Sequence, residues 1–288
     1  MSSSPRTEMA TEAAQDLIYM RVNRRLLGLK NLVYVLAWAA INGQITEPEC
    51  HLLLGRAGKL NHYAKQGYFE RHNLPPGLKA APHFPHLHYF HVTDKGMLLL
   101  LQYYPHLCGY GNLEIRQRLY LHDFICRIEA MWRFKTCKID AFIPESRLPE
   151  LSSPNHKQHD GHFILRNGRK VGLEVEAADW KAGVKLDRFV AQCLNSVSNN
   201  RVQGILVLAQ TASASRHYAD PFKAGKYYFP EWIKHNGHWY PKQSSKTTIS
   251  AELAAKVHVD VIRSQDKIFG LVDSQPISWL PSVAEYFE

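Results

Sequence analysis

The sequence predicts a mixed α/β (α+β) protein of two domains, and three observations carry that prediction. Its 288 residues suit two cores of ordinary size. The first third alternates capped apolar helices with a single Pro-rich extended stretch. The segment Asp160 to Glu176 reads as two short strands around a tight turn, followed by a helix pattern and by Gly204-Ile-Leu-Val-Leu-Ala209, a run suited to a buried strand.

Residues 1–14 lack an apolar signal core and are expected to form a disordered tail. The first domain is placed at 15–110. Within it Leu29 to Ile41 is a strongly apolar helix that ends at Asn42-Gly43. Thr46 to Leu54 is a second helix, with Thr46 as its cap and Pro48 tolerated in the first turn. Lys59 to Phe69 is a third, closed by Gly67. A Pro-rich, hairpin-like stretch spans Glu70 to Val92, and Thr93-Asp-Lys-Gly opens another capped helix.

The second domain is placed at 111–288. Leu113, Leu119, Phe124, Ile128 and Met131 recur at helical spacings over Asn112 to Phe134, with Asn112 as the expected N-cap. Lys138 to Ile143 reads as a strand, and Ala177 to Ser196 as a loop and helix. Ala212 to Lys246, rich in His, Tyr, Trp and Pro, receives no assignment beyond an irregular aromatic segment that could pack on the core or stack on unpaired bases.

The hairpin has two possible registers. A two-residue loop at Asn167-Gly168 sets Asp160 opposite Val175, on the face away from Glu174 and Glu176. A three-residue loop, Arg166-Asn167-Gly168, with Gly168 in the left-handed position of a G1 bulge, sets Asp160 opposite Glu174. Only the second keeps Phe163, Leu165, Val171, Leu173 and Val175 on one face, and a one-residue slip is selected against where a face is buried. The sequence therefore predicts the bulged form, with Asp160, Glu174 and Glu176 together.

Three carboxylates on one small face suit a hard divalent cation, Mg2+ or Mn2+, which takes oxygen ligands and can activate water in phosphodiester cleavage. The plain alternative is an exposed hairpin with acids on its wet face. Lys181, Lys185 and Arg188 follow the acids directly and supply cations beside them.

The order helix, strand, strand, strand, helix, strand resembles the restriction-endonuclease-like (PD-(D/E)xK) core. On that resemblance Asp160 is the first acid, Glu174 the second, and Glu176 stands where the lysine usually falls. The departure implies that water is activated without that lysine, that Lys181 or Lys185 swings in, or that the site is degenerate. A further acid from the first helix is often seen in that core; Glu129 is the first candidate and Asp123 the second. The N-terminal order of third helix, Gly, aromatic, wing and Thr-Asp-Lys-Gly helix resembles a winged helix-turn-helix. That resemblance turns Lys59, Asn61, His62, Lys65 and Gln66 toward DNA and gives Arg71 and Lys79 to the wing, although such a domain can also pack against protein.

Together with Leu-His-Asp-Phe-Ile at 121–125, His-Asp-Gly-His-Phe and Val-Gly-Leu-Glu-Val-Glu, these features resemble the plasmid replication-relaxation family, closest to MobC-type mobilisation relaxases. The likeness covers about residues 25 to 210 and rests on short motifs. It implies a cytoplasmic bacterial enzyme that nicks one strand of double-stranded plasmid DNA at a transfer origin, with accessory mobilisation proteins as further partners. Water attack is the expected chemistry, with Tyr19 as the covalent alternative. A DNA-binding replication or regulatory protein with a degenerate nuclease fold is the rival from another class, and an enzyme making double-strand breaks is a third.

Composition bounds these ideas. Lys plus Arg exceed Asp plus Glu by 35 to 26, a formal charge of +9 that favours a polyanionic partner. Cysteines at 50, 108, 126, 137 and 193 lack the paired spacing of zinc or disulfide frameworks, which fits reduced thiols and an intracellular setting. No run approaches membrane-spanning length. His83, His86, His88 and His91 would suit zinc, but His alternating with aromatics describes a wing strand equally well.

Overall fold

The computed structural model describes residues 27–54, 59–73, 88–113, 120–136, 138–151, 153–176 and 181–263. The predicted tail, Tyr19, Lys79, His83 and His86 lie outside these residues. The chain falls into two compact units, one of Met1–Cys50, Ala57–Asn73 and His88–Leu113, the other of His51–Arg56, Leu74–Leu87 and Glu114–Glu288. Among the described residues no helix is long and apolar enough to cross a membrane.

In the first unit, helix α1 (27–42) buries Leu36, Trp38 and Ile41 and stops at Gly43, whose φ of +75° lies in the left-handed region. Strand β1 (Ile45–Thr46) leads into α2 (Glu47–Leu54), of which the residues up to Cys50 belong to this unit. Thr46 caps α2 from the strand: its backbone N–H and its hydroxyl donate to Glu49 Oε2 at 2.9 and 2.7 Å, half of a capping box. The third helix is shorter than its sequence pattern, with α3 confined to Leu60–Lys65. Strands β2 (Phe69–His72) and β3 (Tyr89–Val92) pair antiparallel, and β1 completes a sheet of order β1-β3-β2.

Helix α4 (Asp94–Tyr103) starts as expected, with Thr93 Oγ1 accepting from the Gly96 N–H at 3.2 Å. A Cβ on Gly96 would meet the Tyr68 carbonyl oxygen at 2.5 Å, so this first turn lies directly against backbone. Asn112, whose expected helix start lies outside the described residues, is occupied with β3. Its side chain clasps both backbone groups of Val92 at 2.9 and 2.8 Å, which serves a sheet edge that would otherwise lack partners.

In the second unit, α5 (Tyr120–Lys135) precedes β4 (Ile139–Pro144), β5 (Gly161–Leu165), β6 (Lys170–Glu176), α6 (Val184–Ser198) and β7 (Gly204–Ala209). Next come α7 (Ala212–Ala219), β8 (Tyr227–Tyr228), β9 (Trp232–His235), β10 (His238–Pro241), β11 (Thr247–Thr248), α8 (Ala251–Ala254) and β12 (Val257–Val261). Five strands form one sheet, β12-β7-β6-β5-β4, antiparallel through β4, β5 and β6 and parallel through β6, β7 and β12.

The hairpin adopts the three-residue loop. Gly161 faces Leu173 and Phe163 faces Val171, while Gly168 has a φ of +76° and its N–H donates to the Leu165 carbonyl at 2.8 Å. The acids' face is not wet. Glu174 lies beside Val207 and Glu176 beside Ala209, on the side where α6 packs Leu186, Phe189, Val190 and Cys193. Helix α5 packs on β4 and β6 and lays Arg133 over the Phe163 ring at 5.3 Å. Both faces of the sheet are therefore covered, and the exposed-hairpin alternative does not hold.

Candidate functional site: a buried carboxylate cluster

The bulged register decides where the acids go. Asp160 precedes β5, and its N–H donates to the Leu173 carbonyl at 3.0 Å, so it sits across from Glu174. Its own Oδ2 accepts the Val175 N–H at 2.6 Å. Continuing the β4–β5 pairing beyond Pro144 and Gly161 by one residue brings Glu145 opposite Asp160. Glu145 feels the charges of both Asp160 and Asp123, which places four acids in one region: Asp123, Glu145, Asp160 and Glu174.

Like charges in a buried place resist ionisation. The Asp160 carboxyl is pushed up to about 6, by burial first and then by Glu174. Burial first, with Glu176 adding to it against Lys157, pushes Glu174 up to about 7, and the Glu145 carboxyl is raised to about 7 by burial and by Asp160.

Two cationic or polar partners hold Glu174. Lys157 Nζ lies 2.9 Å from Oε2, and His159 Nδ1 lies 2.7 Å from Oε1. Burial disfavours charge on Lys157, yet Glu174 and Asp160 more than compensate and hold its pKa above the ordinary lysine range. His159 goes the other way: burial and Lys157 push it down to about 3, so a neutral ring donates its Nδ1–H to the carboxylate. His162, whose ring centroid is 5.3 Å from that of His159, is also pushed down to about 3 by burial.

The segment carrying Lys157 is fastened to one stripe of α6. Gln192 Nε2 donates to the Pro154 carbonyl at 2.7 Å, Asn195 Nδ2 to the Asn155 carbonyl at 2.8 Å, and Asn199 Nδ2 meets His156 Nε2 at 2.8 Å. Gly172 completes the seat, because a Cβ there would meet the His159 ring at 2.8 to 2.9 Å.

Glu176 departs from the expected trio. Its Oε1 is ion-paired with Lys181 and its Oε2 accepts the Tyr218 hydroxyl at 3.0 Å. Burial comes first in raising the Tyr218 phenol to about 12, and Glu176 adds to it. Lys181 thus serves Glu176, while Lys185 is exposed in the first turn of α6.

Glu129 is held elsewhere, by Arg133 at 2.9 Å and Arg263 at 3.3 Å. It lies six residues beyond Asp123 on α5, which rotates it about 240° around the helix axis. Asp123, whose charge is felt at Glu145, is therefore the α5 acid on the side of the other three, while Glu129 is paired with arginines.

Among the described residues no three His, Cys, Asp or Glu side chains are grouped closely enough to hold a metal ion. The donor chemistry of Asp160 and Glu145 nevertheless suits a hard cation, and Glu174 would join them only by giving up Lys157 or His159. Glu176 does not fit, since both its oxygens have protein partners.

In the first unit Lys59, Asn61, His62, Lys65, Gln66 and Arg71 are all exposed on α3, its margins and β2. Asn61 Nδ2 donates to Glu47 Oε1 at 3.1 Å, and Gln66 offers its carbonyl to Lys95 Nζ at 2.8 Å. Of the histidines considered for zinc, His91 lies in β3 with its ring 4.7 Å from His72.

A comparison of the chain with protein-family models, with curated proteins and with solved structures gives no match.

Proposed function

We propose that this protein is a metal-dependent, site-specific DNA endonuclease, a plasmid mobilisation relaxase that nicks one strand at a transfer origin. The observation that carries the reading is the buried pair Asp160 and Glu174, set face to face by the bulge and raised together above the usual carboxylate range. Lys157 supplies one positive charge beside two carboxylates, and a divalent cation would complete the balance. Two further features support the reading. The second unit runs helix, three-stranded meander, helix, parallel strand, in the order of the restriction-endonuclease-like core. The first unit presents a basic short helix followed by two paired strands and a capped helix, as a winged helix-turn-helix does.

In this mechanism Asp160 and Glu174, with Glu145, would hold Mg2+ or Mn2+, which when bound supplies charge neutralisation at the phosphodiester and a more acidic water. Lys157 takes the part first given to Lys181 or Lys185: its ammonium stays protonated beside the acids and faces the charge that develops on phosphate oxygens. His159 keeps Glu174 oriented through its Nδ1–H. Lys181 and Tyr218 immobilise Glu176, which then shapes the wall of the site.

The experiment is a relaxation gel with the supercoiled replicon that encodes the gene, with Mg2+ or Mn2+. Nicking is expected in the native chain and lost in Asp160→Asn and Glu174→Gln, with DNA binding retained. Reversing two charges on the first unit, Lys59→Glu with Lys65→Glu, is expected to weaken duplex binding at least tenfold and to flatten its dependence on salt, since each lost phosphate contact removes counterion release. A single observation favours the non-catalytic reading, a winged-helix DNA-binding protein with a degenerate nuclease fold: Glu174 and Glu176 already have protein partners at both oxygens. Specific binding without strand breaks in either metal would establish that reading instead.

A further inference from the structure

We propose that the β9–β10 ribbon is a stacking platform for single-stranded DNA. It shares with the reading above only that the partner is DNA, and it does not depend on cleavage. Asn236 and Gly237 have φ of +46° and +80°, the two left-handed positions of a type I′ turn. That turn fixes the register, His235 facing His238, Lys234 facing Trp239, Ile233 facing Tyr240 and Trp232 facing Pro241. Alternation then divides the ribbon into two faces.

One face is anchored. Trp232 is buried in the α6 cluster and its backbone N–H donates to Asn155 Oδ1 at 3.1 Å, while the Arg188 guanidinium of α6 lies 3.7 Å from the Trp239 ring centroid. The other face carries Ile233 at 55% and Tyr240 at 48% exposure, with His235 and His238 also exposed. This outward row contributes little to the core, so its apolar and ring surface is left for a partner.

Charge decides the partner. Between residues 220 and 246 five lysines (223, 226, 234, 242 and 246) stand against Asp220 and Glu231, and Lys246 lies 4.3 Å over the exposed Tyr227 ring. Lysines beside exposed rings suit a phosphate backbone bearing bases. Rings stack only on base faces that are free, and those faces are shielded in a duplex. An unpaired strand meets both requirements at once.

The test is fluorescence anisotropy of the full chain with a labelled thymidine homopolymer of about 16 nucleotides, the upper site size of a stacking fold. Tyr240→Ala is expected to weaken that binding about tenfold or more, the loss of one stacked base, with duplex affinity and thermal midpoint unchanged. Absent thymidine binding by the native chain, unchanged binding in Tyr240→Ala, or a parallel loss of duplex binding would overturn the proposal. A shift of Tyr240→Ala from dimer to monomer in sedimentation would also overturn it, by making the face a protein contact. Absent nicking with this pattern intact would remove the nuclease reading and leave the platform standing.

Discussion

Lys157→Met is expected to lower folding stability by about 3–5 kcal/mol, the usual cost of removing one member of a buried ion pair. Glu174 is fully buried, and Lys157 retains 23% side-chain exposure, 2.9 Å away. Without the ammonium, Glu174 faces Asp160 and Glu145 across the same covered region with only the neutral His159 to donate to it. Proton uptake would relieve part of the strain, so the loss should be larger at pH 8 than at pH 5. The double variant Lys157→Met with Glu174→Gln removes both charges and should recover most of the loss. Urea unfolding of the four members of this cycle, with unchanged m-values, measures the coupling. A single-variant loss below about 1 kcal/mol, as for an exposed pair, would contradict the buried arrangement.

How much of this was legible in the sequence varies with the distance over which each feature is decided. The hairpin register was legible because Arg166-Asn167-Gly168 and the alternation of Phe163, Val171 and Leu173 are local, and a bulge either fits them or does not. The cap at Thr93 and the run of β7 are equally local. Glu145 was not legible, since residues 145–160 leave the β4–β5 register open until the sheet forms. Lys157 and His159 depend on a loop held by Gln192, Asn195 and Asn199, a stripe of α6 that reads in isolation as ordinary solvated surface. The burial of the acids came from the same source.

The second use of Asn112 and the hairpin left without an assignment at 232–241 have local reasons. Asn112 has the residue type of an N-cap but finds better use on Val92, where one amide satisfies a donor and an acceptor. Asn236-Gly237 is a strong hairpin signal that the sequence does carry. Its flanks conceal it, because Trp232 and Trp239 on one face and Ile233 and Tyr240 on the other erase the alternation of polar and apolar residues. A ribbon apolar on both faces is a poor strand pattern for a monomeric core and a reasonable one for an element with a partner outside.

Gly172→Ala tests the seat of the carboxylate cluster from the side of the backbone. Its Cβ would enter at 2.8 to 2.9 Å from three atoms of the His159 ring, closer than carbon and imidazole can pack. The ring is nearly fully buried and its Nδ1 is tied to Glu174, so it yields only by breaking that bond. Overpacking costs about 1–3 kcal/mol and a lost hydrogen bond to a buried charge about as much again. A total near 3–4 kcal/mol is therefore expected in urea unfolding. His159→Ala in the same chain opens the space the methyl needs, so Gly172→Ala should cost at least 1 kcal/mol less in that background. Equal costs in both backgrounds would show that the imidazole does not lie on this glycine.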